Sequence, residues 1–129
     1  MNARAADLWE RAKKALAVAK AVSTLDPDSA ASRAYYAAFY AVSARFALEE
    51  KAFAKHSAVE AAVHRDLVKA GIWPTELGQG YSRLSETRSI GDYGELEHVS
   101  EARSAEAIEI AGEILSAIAS EYPQAFCLS

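Results

Sequence analysis

One cysteine, Cys127, stands in the whole 129-residue chain, so no intrachain disulfide can form. A single thiol also fits a reducing compartment. No apolar run approaches the roughly 20 residues a membrane span needs, and the opening MNARAADLWERAKK carries no hydrophobic segment of the signal-peptide kind. There is no glycine-rich phosphate loop, no pair of cysteines, no HExxH and no His/Cys cluster at metal spacing. No Ser–His–Asp set can be argued either. Metal enzymes and nucleotide-fold enzymes are therefore poor candidates, and neither metal nor cofactor is expected. Positive charge is not in excess: the net charge of -4 sets up no global field that would draw the chain to nucleic acid or an anionic membrane. A local basic pocket is still compatible with that total. The expectation is a soluble cytoplasmic protein.

What is present is ordinary globular composition, 51% hydrophobic and 25% charged, in a length that suits one domain over residues 1–129. No stretch alternates like a strand, and no internal repeat or low-complexity tract occurs. The chain is organised around Ser32 to Glu49, SRAYYAAFYAVSARFALE. Tyr35, Phe39, Val42 and Phe46 fall on one helical stripe and Arg33, Tyr36, Tyr40 and Ala44 on a neighbouring one. A helix apolar around most of its girth belongs in the middle of a bundle.

Around it the chain divides into further helices. Ala3 to Val22 carries a stripe of Leu8, Ala12, Ala15, Ala19 and Val22. Asp26 is the expected N-cap of the central helix, with Pro27 at its first position and its end near Lys51. Ser57 and Glu60 form a capping-box pattern for a third helix buried through Val59, Val63, Leu67 and Ala70, with Gly71 as its stop. A fourth begins near Thr75, and its stripe of Leu77, Tyr81, Leu84 and Arg88 turns Arg88 toward the core. The glycines of SIGDYGELEHV are expected to break or loosen it. A last helix begins at Ser100–Glu101, faces inward through Ala105, Ile108, Ala111, Leu115 and Ile118, and ends at Pro123. The predicted fold is all-α, an antiparallel bundle of four to five helices.

Five features could carry chemistry, each beside a plainer reading. Arg88 with Asp92 and Tyr93 could grip a phosphate through the guanidinium fork, or Arg88 could simply pair with Asp92 one turn on. Arg33 with Tyr36 and Tyr40 could hold an anion or stack a base, or its head could meet Asp92 or Glu97. If Arg33 and Arg88 converge, a ligand gains ground. Lys55-His56 precedes a helix start suited to anions, or His56 packs as a staple outside the cap. His64 reads as solvated beside Glu60. His98 could serve as acid or base if its loop folds back on Arg88.

At these residues the chain resembles the HEPN family of small all-α proteins. The shared patterns are SRxYYAxFYA at Ser32 to Ala41, the adjacent Lys55-His56 in the place of the family's KxH, the glycine Gly71, and RxxxDY at Arg88 through Asp92-Tyr93. Their order and spacing agree over most of the chain, from the second helix through RSIGDY. The resemblance implies a helical bundle, a homodimer and a polar pocket of Arg33, Tyr36, Arg88, Asp92 and Tyr93, with Lys55 and His56 nearby. It implies an RNA-directed activity, a metal-independent ribonuclease or toxin or a weakened relative. The alternatives are a non-enzymatic module partnering a minimal nucleotidyltransferase, or a nucleotide-binding protein. At the position of the family's motif histidine this chain has Tyr93, and a phenol with a pKa of about 10 is a poor base at neutral pH. The catalytic role would then pass to Arg88 with Tyr93, or with His56 or His98, and Tyr93 could instead be a point of nucleotide attachment.

Overall fold

The computed structural model describes residues 2–129. Five α-helices and one π-helical turn make up the regular structure among them: α1 (Ala3–Val22), α2 (Pro27–Leu48), α3 (His56–Ala62) continued by the π-helical Val63–Val68, α4 (Thr75–Tyr93) and α5 (Glu101–Glu121). The all-α expectation holds. None of these helices is long and apolar enough to cross a membrane.

Helix α2 is the centre. Ala30, Ala31, Ala34, Ala37, Ala38, Ala41 and Ala44 are all fully buried, and their small side chains let α1, α4 and α5 close on one axis. Asp26 caps it through the Ser29 N–H at 3.2 Å and hydroxyl at 2.6 Å, with Pro27 inside the first turn. The Asn2 amide reaches the Ala47 carbonyl (2.8 Å) while Val18 and Arg33 share a surface hollow, so α1 and α2 run antiparallel. Helix α4 also runs against α2: Gly91 meets Asp28 at one end and Tyr81 meets Tyr35 toward the other.

The structure departs from expectation at five places. Helix α3 begins at His56 with Lys55 at the N-cap, and Ser57 caps nothing; the Glu60 carboxylate instead accepts from Ser82 at 2.7 Å. A π-helical turn over Val63–Val68 follows, and the extra residue it admits rotates the register so that Ala70 is exposed. Helix α4 does not break at Ser89–Gly91 but runs to Tyr93 and stops at Gly94. Gly91 is there for proximity, because a Cβ would lie 3.1 Å from the Asp28 carbonyl oxygen. On α5 the inward stripe passes through Ser104 and Ala107, leaving Ala105 exposed. Helix α2 ends at Leu48, slightly short of Lys51.

Two buried features lie outside the stripes read from sequence. Trp9 and Phe126 stack at 4.7 Å and the indole N–H donates to the Cys127 carbonyl, which ties the C-terminal tail to α1. Arg45, 2% exposed, donates to both carboxylate oxygens of Glu121 and to Glu49.

Candidate functional site

The close contact at Gly91 brings the last turn of α4 against the first turns of α2, and this delivers Arg88 to the aromatic side of the central helix. Its guanidinium carbon lies 4.9 Å from the Tyr35 ring centroid, 5.1 Å from Tyr36 and 5.7 Å from Tyr93. Nε donates to Asp92 (3.0 Å), one helical turn on, as the plainer reading expected. The remaining edge is not sealed by carboxylate. Nη2 donates to the hydroxyls of Tyr36 and Tyr93, both at 3.2 Å, and Nη1 faces His56 Nδ1 at 3.5 Å. The Arg88 side chain keeps 16% of its surface exposed, so the fork can be reached from solvent. Burial is the largest influence on its ionisation and opposes the charge, but the Asp92 bond and the phenols around it outweigh that and hold the guanidinium above its ordinary value.

His56 joins this cluster because α3 starts two residues earlier than the capping-box pattern suggested, with its N-cap at Lys55 instead of Ser57. As the first helical residue its ring stacks on Phe39 at 4.3 Å and on Tyr35 at 5.8 Å. The Tyr35 hydroxyl lies 3.0 Å from Nδ1. A guanidinium can only donate, so Nδ1 between Arg88 and Tyr35 is the unprotonated nitrogen of the ring. Burial, and then the Arg88 charge, push the imidazole below its ordinary 6.5. His56 is therefore neutral at pH 7 with a lone pair aimed at the arginine.

Arg33 converges on the same ring. Its guanidinium carbon sits 4.9 Å from the Tyr36 ring centroid, so that one ring contacts both Arg33 and Arg88. Among the described residues Arg33 forms no ion pair with Asp92 or Glu97, which removes the plainer reading. A hollow of about 490 Å³ adjoins the cluster, lined by Arg33, Ser32, Asp26, Asp28, Gly91 and Asp92. Its carboxylates have partners within the fold: Asp26 holds Ser29, Asp92 holds Arg88, and Asp28 holds His98.

The other candidates separate from the site. His98 does not reach Arg88; its Nδ1 pairs with Asp28 at 2.8 Å while the ring stays mostly exposed. The Val99 N–H donates to the same carboxylate, so this pair pins the loop after α4 to the start of α2. His64, exposed in the π-helical turn, lies 2.8 Å from the Ser82 hydroxyl of α4. Lys55 occupies the N-cap with an exposed side chain that forms no cap bond. Tyr40 is half-buried beside Tyr36, at 5.8 Å. Tyr35 is the residue that sequence reasoning assigned to the core alone. Its stripe does point inward, but its hydroxyl emerges against His56, an alignment that depends on where α3 begins and that no local spacing encodes.

Two comparisons bear on this arrangement. The family model described as the HEPN domain matches residues 5–122, nearly the whole chain. A UPF0332 protein of Thermotoga maritima is 46% identical over 90 residues, covering 70% of this chain and 68% of that protein.

Proposed function

The chain belongs to the HEPN family, and from that membership we propose that it acts on RNA, cleaving a phosphodiester without a metal ion. The observation that carries this reading is the meeting of Arg88, Arg33 and a neutral His56 around Tyr36. Arg88 grips the scissile phosphate with its free fork edge, assisted by the Tyr93 and Tyr36 hydroxyls. His56 Nδ1 takes the proton of the ribose 2′-OH as that oxygen attacks phosphorus. The O2′–P bond forms and the P–O5′ bond breaks, leaving a 2′,3′-cyclic phosphate and a 5′-hydroxyl that takes up a proton from solvent. The Tyr35 hydroxyl meets the same Nδ1 and gives way to the ribose hydroxyl as substrate enters, while stacking on Phe39 keeps the ring in place. Tyr93 is thus a hydrogen-bond donor to the phosphate, and the proton passes to His56.

The pH dependence tests the role of His56. Protonation removes its lone pair, so the cleavage rate rises with pH and levels off, with the acid limb below the ordinary imidazole value of 6.5 because the folded pKa is lowered. The same sign applies to stability: the unfolded chain binds this proton more readily, so stability is full above 6.5 and fades as the pH falls below it. His56→Gln is expected to abolish the limb along with most of the rate. Retention of the full rate and limb in His56→Gln would transfer the proton to another group.

A second reading concerns partners. Leu25, Tyr93 and Leu96, which are 85%, 68% and 94% exposed, stand at the end of the bundle that carries the cluster. Isolated apolar side chains are common on surfaces, but three around one polar site favour a covering chain. We infer a homodimer that closes over Arg88, with a minimal nucleotidyltransferase as the alternative occupant of that surface. Light scattering is expected to give twice the chain mass at micromolar concentration, and a monomer mass throughout would remove the homodimer.

A further inference from the structure

The seam between α1 and α2 carries a concentration of positive charge that the net charge of the chain conceals. On α1, Arg4, Arg11 and Val18 are seven residues apart, two helical turns, and so keep to one flank. On α2, Arg33, Tyr40 and Ala47 repeat at the same interval on the facing flank. Lys14, Arg11, Arg33 and Tyr40 line one open hollow of about 350 Å³, and Arg4 and Lys51 line a second near the far end of the same helix pair. Five cations border the seam against two carboxylates, Glu50 and Asp7, the latter ion-paired with Arg11, which leaves an excess of three positive charges. In a chain of net charge -4 this is a local reversal of sign. From Arg4 to Val18 the flank is about 21 Å long at the α-helical rise. At its upper end Arg33 borders both the seam and the hollow beside the Arg88 cluster. Beyond Arg33 come Asp26, Asp28 and Asp92, whose carboxylates are held by Ser29, His98 and Arg88.

We propose that the α1/α2 seam is a binding track for the sugar–phosphate backbone of single-stranded RNA, leading past Arg33 to Arg88. Arg11 and Lys14 contact phosphates several nucleotides from the reacting bond, and the Tyr40 phenol faces the strand between them. Charge complementarity selects the occupant: a spaced row of exposed guanidinium and ammonium groups with a neighbouring phenol fits a flexible polyanion. The inference rests on the RNA-directed reading above and extends it from the reacting phosphate to the rest of the strand.

The test uses the full chain and a fluorescent 12-nucleotide 2′-O-methyl RNA, which has no free 2′-hydroxyl and cannot be cleaved. Fluorescence anisotropy is measured from about 50 mM to 200 mM salt for wild type, Arg11→Gln/Lys14→Gln and the surface control Lys69→Gln. The double variant is expected to bind at least about tenfold more weakly at low salt. Its slope of log affinity against log salt should fall by about 1.4, from two phosphate contacts at about 0.7 each. Lys69→Gln should match wild type. Cleavage of a dinucleotide, too short to reach the seam, should be the same in the double variant as in wild type. An unchanged affinity and slope in the double variant, or no binding of the oligonucleotide by wild type, would overturn the track even if dinucleotide cleavage is intact. Weakened binding with a reduced slope would uphold it even if wild type cleaves no RNA, so the two readings can fail separately.

Discussion

Arg88→Ala is expected to lower RNA cleavage by about a hundred- to a thousandfold, the usual loss when a donor aimed at developing charge is removed. The side chain is suited to that effect because its contacts divide by edge. Nε is occupied by Asp92, which sets the direction of the guanidinium, while both Nη atoms point to neutral partners that a phosphate can displace or share. Stability should change much less, by about 1 kcal/mol, since the lost contacts are one partly exposed i,i+4 ion pair and stacking on rings that stay packed without it. Arg88→Lys keeps the charge without the planar fork, and should fall between wild type and Arg88→Ala. Initial rates on a labelled RNA and thermal melts of the same three proteins check both halves. A melt shifted as far as the rate would mean that Arg88 is structural.

Arg45→Ala should show the reverse pattern. Arg45 is 2% exposed and its guanidinium is shared by Glu121 and Glu49 while lying 5.5 Å from the Phe46 and Tyr122 rings. Truncation leaves two carboxylates without their cation and a space where the arginine stem was, a change that costs about 3–5 kcal/mol for a buried pair. Glu121 and Glu49 are 24% and 40% exposed and can turn toward water, which places the expectation near the lower end, about 3 kcal/mol. For a domain of this size that is a fall in melting temperature of about 10 °C. Adding Glu121→Ala to Arg45→Ala should cost less than the sum of the two single changes, because the pair shares one interaction. Additive losses would show that the two side chains do not support each other.

These two arginines also mark how far the sequence could be read. The helices follow from periodicity and caps: the stripe of α2, the Asp26–Pro27 start and the Ser100 cap are all local signals, and the structure has them. Arg88 was legible because its stripe is shared with Leu77, Tyr81 and Leu84. Arg45 was not, because its main partner Glu121 lies 76 residues away. The same distinction separates the parts of the site. Tyr36 and Arg33 share a helix and their stacking is a consequence of i,i+3 spacing. His56 meets Arg88 across 32 residues, and its place depends on the N-cap of α3 falling at Lys55 instead of Ser57, a shift of two residues that the capping-box pattern concealed. The glycines after Arg88 misled in a physical way. Gly91 signals close approach of two helices as readily as a break, and only the position of Asp28 opposite it decides between them.

The most direct measurement is the chemistry of the ends made when wild type cleaves a short labelled RNA in excess chelator. In-line attack by the 2′-hydroxyl, with Arg88 on the phosphate and His56 on the proton, predicts 2′,3′-cyclic phosphate and 5′-hydroxyl ends without added metal, formed at least about a hundredfold more slowly by Arg88→Ala. Fragments with 5′-phosphate ends, cleavage that stops when metal is chelated, or no cleavage at all would contradict the account.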